Sequence, residues 1–345
     1  MTRKKVKVYF TDFWDTLVPD NNYFYNMLSE LYDVEIDSEK PDILFYSVFG
    51  VNFLRYNCKR VFFTGENIRP NYDECDWSFS FDYSDNPKNY RLPLYALFGD
   101  VYELTKPRSP EQLMKEKTDF CNFIYSNPGP KKRKDIFLKL SNYKFISSPG
   151  RFMNNTNFHL PGFETEKRNY IRKFKFTFAF ENSSYPGYTT EKLFDPLLVG
   201  SIPLYWGNPE VTKDFNPKSF INYHDYESDE SFIEEIVRYD NDEDLYLEML
   251  SQPPFENNQV NSFVAKENVI ERLKQIVECD DEPIACNLPD YSKSNIISDY
   301  RYRIKVARFK SRLFSKKIKN FSLHTIKVKK YRILENIKRN NNYNK

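Results

Sequence analysis

The sequence predicts an α/β protein of two doubly wound blocks facing a cleft, followed by a basic helical tail. Three observations carry this. Short apolar runs of strand length alternate with amphipathic helical stretches up to about residue 277. A polar stretch at 106–117, with Pro107 and Pro110 and no apolar periodicity, interrupts the alternation and reads as a linker. The charge also changes sign: residues 301–345 hold 16 Lys or Arg against one acid, Glu335, while 1–300 hold 35 against 48. The expected units are therefore 1–117, 118–290 and 291–345.

In the first block, residues 7–10 read as a strand. Residues 22–31 read as a short helix with Phe24, Leu28 and Leu31 at helical spacing. The runs 42–46 and 60–64 have compact apolar centres, Ile43 to Tyr46 and Val61 to Phe63, which suit buried parallel strands, and 77–81 is a further strand. In the second block the strands are 121–125, 144–147, 174–180 and 201–205. Its helices are 131–140, 190–199, 229–237 and 263–277. In the tail, Tyr302, Val306, Phe309 and Leu313 recur at i, i+4, i+7 and i+11 among basic residues, the pattern of an amphipathic basic helix.

Composition removes several function classes. Aromatic residues make up 17%, enough for a large core and for ligand stacking. The five cysteines are scattered and lack CxxC spacing, so buried free thiols are expected, not a disulfide framework or a zinc site. Gly is scarce at nine residues, and neither a G-x-G-x-x-G nor a P-loop occurs, which argues against a dinucleotide oxidoreductase. Asp240-Asn241-Asp242 has the form of a metal-binding DxD element but lies in a run of acids expected to face solvent. The acidic body argues against nucleic acid as a partner. The tail suits an anionic membrane face, or the acidic body itself. The N-terminus has no long apolar core and no run is long enough to span a bilayer, so a cytoplasmic location is expected, with peripheral attachment to the inner membrane face through the tail.

The most informative segment is 178–192. A buried strand ends at Asn182, a loop with Pro186 and Gly187 follows, and a helix starts near Thr190, whose hydroxyl can cap it. Ligands of open α/β sheets sit beyond the carboxyl ends of the strands, and the free N–H groups of a helix start favour a phosphate. Lys192 meets the positive end of the helix dipole. A bound anion would remove that conflict, and Glu191 would then reach sugar hydroxyls. An ordinary strand–loop–helix turn with Lys192 in solvent accounts for the same spacing.

This segment, from Phe180 through Pro209 with Ile202-Pro203-Leu204-Tyr205-Trp206-Gly207, resembles the signature of the α1,3/4-fucosyltransferases, glycosyltransferase family 10, of bacterial type. Residues 213–220 and the stretch Arg60 to Pro70, with Gly65-Glu66-Asn67, are similar to further motifs of that family, so the resemblance runs over roughly 55–280. Pro196 departs from the commonest pattern.

The resemblance implies a GT-B fold with an acceptor-binding first block and a GDP-fucose-binding second block. It implies Glu66 as general base and Arg151 facing the donor pyrophosphate. Asn182, Tyr188, Glu191 and Lys192 would line the donor site. It implies an inverting transfer of L-fucose to a hydroxyl of an oligosaccharide, glycolipid or polysaccharide, O3 of GlcNAc in a Gal-GlcNAc unit being the expected position, with O4 or another hydroxyl as the alternatives that the sequence does not separate from it. No cofactor and no strict metal requirement are expected, because Arg151, Lys192 and the helix start can stabilise the leaving diphosphate. The competing readings are a GT-B transferase for another nucleotide sugar and a membrane- or nucleic-acid-binding protein without catalysis.

Overall fold

The computed structural model describes residues 3–162 and 164–287. The tail helix expected near 302–313 lies outside them.

The apolar runs pair into two all-parallel sheets. β1 (Lys5–Thr11), β2 (Asp33–Ile36), β3 (Ile43–Tyr46), β4 (Lys59–Phe63), β5 (Trp77–Ser80) and β6 (Asn89–Arg91) form the first, in the order β2-β1-β3-β4-β5-β6. β7 (Asp119–Asn122), β8 (Ile146–Ser147), β9 (Phe174–Phe180), β10 (Ile202–Trp206) and β11 (Ile221–Asn222) form the second, in the order β11-β10-β9-β7-β8. Every residue of β3 and β4 is buried, including Lys59 and Arg60 at the start of β4. The edge strands β2 and β6 are short and partly polar, and the apolar pattern does not reveal them.

Helices cover both sheets. α1 (Tyr23–Ser29) starts at Asn22, whose side chain accepts the Tyr25 N–H at 3.0 Å. It buries Phe24 and Leu28, while Leu31 falls past its end and is exposed. The expected linker is in part a helix, α2 (Pro110–Lys115). Its prolines were read as breakers, but Pro110 sits at the first helical position, where its missing N–H has no partner to lose. Ser109 caps the same turn by accepting the Gln112 N–H. α3 (Lys131–Leu140) has the expected bounds. α4 (Glu164–Ile171) was not anticipated, and α5 (Glu191–Leu198) is the signature helix, with Pro196 in its last turn. α6 (Asp229–Asn241), α7 (Glu243–Ser251) and α8 (Lys266–Glu278) follow among the described residues.

Two further expectations change. The acids near 240 do not simply face solvent. The Asp240 side chain is buried and ion-paired with Lys144 at 2.8 Å and Lys175 at 3.0 Å, and Asp242 caps α7 by accepting the Leu245 N–H. The five cysteines are free thiols, but only Cys58, Cys75 and Cys121 are buried; Cys279 is half-buried and Cys286 exposed.

The two halves are closely joined. α8 returns to pack on α1, and the Lys59 ammonium donates to the carbonyls of Ile276 and Cys279 at its C-terminal end. One apolar core runs from Phe63, Phe79 and Tyr95 in the first half to Leu193, Phe194 and Phe215 in the second. At its edge a buried bidentate ion pair joins Arg91 of β6 to Asp214, at 2.7 and 2.8 Å.

Candidate active site

In the second sheet the chain passes from β7 to β8 on one side and then to β9 on the other. The strand order therefore reverses between β7 and β9, and a crevice opens there beyond their carboxyl ends. Two side chains lock this point. The Tyr125 hydroxyl donates to the Phe178 carbonyl at 2.9 Å and accepts the Phe180 N–H at 2.8 Å. Arg133, fully buried, donates to the carbonyls of Asn127 and Gly129 on one side of the crevice. On the other it donates to the carbonyls of Phe180 and Glu181 and to the side-chain oxygen of Asn182. Its guanidinium carbon lies 3.8 Å from the centre of the Tyr125 ring. Burial pulls the Arg133 pKa down, with Tyr125 and Glu181 acting against it.

Glu181, fully buried, stands behind the first turn of α5. It accepts the Thr190 N–H at 2.7 Å and the Thr190 hydroxyl at 2.8 Å. The Thr190 oxygen in turn accepts the Lys192 N–H, as the cap expected of it. The Lys192 ammonium lies 3.1 Å from the Thr190 hydroxyl, 3.2 Å from Glu191 and 3.4 Å from Glu181. The sequence suggested either a cation awaiting an anion or a solvated one. Lys192 is neither, because two carboxylates of the chain already hold it. Burial opposes its charge, but Glu191 and Glu181 outweigh burial and raise its pKa. Burial likewise works to raise the Glu191 carboxyl, yet Lys192 and Lys167 hold it down to about 2. Burial pushes the Glu181 carboxyl up, against the pull of Lys192. Lys192 and Lys167 line a small cavity under α5, beside Tyr125 and Pro196.

Tyr188 is 2% exposed. Burial, then Glu181, raises its phenol pKa, and Glu66 contributes to the same rise. The turn that carries Glu66, in the first half, meets the signature loop. Glu66 follows β4 in a turn where the Thr64 hydroxyl donates to the Glu66 carbonyl and accepts its N–H. Its neighbour Asn67 donates to the Ser183 hydroxyl at 2.7 Å. Arg69 donates to Asn67 and lies over the Tyr185 ring at 3.7 Å.

Glu66, Asn182, Tyr188, Glu191 and Lys192 therefore gather where the two halves meet. Arg151 stands on the loop after β8, exposed, one residue from Gly150, which packs against the Tyr125 backbone. Sequence reasoning missed Arg133, Tyr125 and the role of Glu181. A signal for Arg133 was present. It falls on the apolar stripe of α3 with Ile136, Phe137 and Leu140, where a surface arginine has no place.

Comparison with known proteins decides the family. The model for the N-terminal domain of alpha-(1,3)-fucosyltransferase FucT matches residues 8–98, and that for the C-terminal part of glycosyltransferase family 10 (fucosyltransferase) matches 114–287. The chain belongs to glycosyltransferase family 10. It is 31% identical over 273 residues to alpha-(1,3)-fucosyltransferase FucT of Helicobacter pylori, a match covering 68% of this chain and 56% of that protein. The chain thus spans little more than half the length of this curated relative. Crystal structures of alpha1,3-fucosyltransferase resemble the fold at 26% identity. The one with GDP has a TM-score of 0.69 and covers 83% of this chain and 94% of that one. The one with GDP-fucose has a TM-score of 0.68 and covers 81% and 93%. The family-10 fold is of GT-B type: two parallel α/β layers facing each other across the site.

Proposed function

We propose that this family-10 chain transfers L-fucose from GDP-β-L-fucose to a glycan hydroxyl with inversion, giving an α-fucoside. One observation carries the reading: the turn after β4 that holds Glu66 meets the loop after β9 from the opposite half of the molecule, Asn67 donating to the Ser183 hydroxyl at 2.7 Å. A donor bound at the β7/β9 crevice presents its diphosphate to Lys192 and the start of α5. The incoming hydroxyl then approaches from the side of Glu66, in line with the departing phosphate. Glu66 takes the proton of that hydroxyl as the sugar–phosphate bond breaks through an oxocarbenium-like state. Lys192 and Arg151 offset charge growing on GDP. The buried pair Glu181–Thr190 fixes the turn that carries Lys192. Cationic side chains in this position support a reaction without a strict metal requirement, and Asp240, the DxD candidate, is already engaged by two lysines. O3 of GlcNAc in a Gal-GlcNAc unit is the acceptor position we favour.

The test is transfer from GDP-fucose to N-acetyllactosamine in EDTA, with the product linkage read by NMR. α-Fucoside formation is expected, and Glu66→Gln should lower the rate by about 10²–10⁴-fold while GDP still stabilises the protein against heat. Equal thermal stabilisation by UDP would point to another nucleotide sugar, and a β-linked product would reject inversion. We further propose that the basic tail attaches the protein to the inner, anionic face of a membrane, each engaged basic residue contributing roughly 1 kcal/mol. Removing 301–345 should then abolish co-sedimentation with phosphatidylserine vesicles; equal sedimentation would assign the tail elsewhere.

A further inference from the structure

The first sheet also has a point where its strand order reverses. The chain leaves β1 for β2 on one side and returns to β3 on the other, so the crevice lies between the carboxyl ends of β1 and β3. Nothing in the donor chemistry uses it. Two large aromatic side chains flank it. Trp14, half-buried, follows β1, and Phe49, 46% exposed, follows β3. Their rings stand 6.5 Å apart at 84°, forming a corner. Trp14 also packs edge-on against Phe63 at 6.3 Å, and Phe63 is the last residue of β4, three positions before Glu66.

The corner is built at a conformational cost. Asp12 is a non-glycine residue with φ of 61°. From that position its carbonyl accepts the Phe49 N–H at 3.0 Å. Its carboxylate accepts the N–H groups of Asn52 and Phe53 at 3.0 and 2.8 Å. A Cβ at position 50 would press on the Asp12 carboxylate, so glycine there leaves the clamp undisturbed. Asp12 therefore ties the two loops together and fixes the angle between Trp14 and Phe49. A simple loop crossing does not need this clamp, and exposed apolar surface held so firmly marks a contact site.

We infer that Trp14 and Phe49 form a platform for the acceptor, receiving the apolar face of the sugar ring next to the one whose hydroxyl meets Glu66. This rests on the proposed fucosyl transfer. Neighbouring strands lie roughly 5 Å apart, so the loops after β1, β3 and β4 extend over about 10 Å, the span of a disaccharide. The C–H groups of a pyranose face suit an aromatic ring face, and the second ring of the corner limits how the sugar turns. The platform thus selects acceptors of at least two sugar units and sets which hydroxyl reaches the base.

The experiment compares Trp14→Leu and Phe49→Ala with the wild type, using N-acetyllactosamine and GDP-fucose. The acceptor KM should rise by roughly tenfold in each, with GDP affinity by thermal shift retained. Trp14→Phe and Phe49→Tyr keep an aromatic face and should restore most of the loss. An acceptor KM indifferent to all four changes would overturn the inference. So would a parallel rise in donor and acceptor KM, which would mean that the loops merely support the fold. A wild-type chain that fails to transfer fucose would instead reject the functional reading, and the platform with it.

Discussion

Lys192 illustrates how a side chain proposed to meet the donor already serves the fold. Its side chain is 16% exposed and its ammonium lies among Glu191, Glu181 and Thr190, so it neutralises one buried and one half-buried carboxylate before any ligand arrives. The consequence is a defined pH dependence. Glu191 is held down to about 2, below its ordinary value near 4.3. A carboxyl with a depressed folded-state pKa contributes stability that is present above the unfolded value and is lost as pH falls through the folded one. Lys192→Met removes the cation next to Glu191. The stability gap between wild type and variant should therefore be widest at neutral pH and should close between about pH 4.3 and 2, as read from urea midpoints. A gap that stays constant down to pH 2 would show that Lys192 acts through packing and not through its charge.

At the scale of elements, the loop between β9 and α5 must pass against the first half of the molecule. Gly187 has φ of 83°, and any Cβ there would run into the Phe81 carbonyl oxygen. Its own carbonyl accepts from Arg91 and its N–H donates to Asn208. Gly187→Ala should displace this loop and with it Tyr188, so stabilisation by GDP should largely disappear while far-ultraviolet circular dichroism stays native; a normal thermal response to GDP would reject that role. The same segment shows how far a sequence can be read. Its strand, cap and helix follow from local apolar pattern and capping chemistry, which act within a few residues. So do α3 and β9, whose bounds are as expected. The linker failed because Pro110 starts a helix as readily as it ends one. β2 and β6 failed because three- and four-residue edge strands carry too few apolar positions to form a pattern. Arg133 stands out on the apolar stripe of α3, but its partners at 180–182 lie across the sheet crevice and were not legible; the role of Glu181 was not legible because it needs the loop to turn back and bring Thr190 onto it.

At the scale of the whole molecule, a buried charge pair joins the two halves beside their shared apolar core. Arg91 belongs to the first sheet and Asp214 to the segment after β10. The guanidinium lies 4.3 Å from the rings of both Tyr83 and Phe263 and donates to the Phe81 carbonyl as well as to Asp214. The carboxylate also accepts the Thr189 hydroxyl at 2.7 Å, so the pair reaches the loop that carries Tyr188. Asp214 raises the Arg91 pKa against the effect of burial. Removing one partner leaves an uncompensated buried charge, which typically costs about 3–5 kcal/mol. Arg91→Met should therefore lower Tm by on the order of 10 °C, taking roughly 2–4 °C per kcal/mol for domains of 150–250 residues. Arg91→Met combined with Asp214→Leu removes the orphaned charge, so the double variant should be more stable than Arg91→Met alone. GDP should stabilise all of these variants less than the wild type, because Gly187 and Thr189 lose anchors that no apolar substitute replaces. Strictly additive losses in the double-mutant cycle would mean that the pair is not coupled. The halves would then be held by the shared apolar core and by α8, and the donor loop would keep its place without Arg91.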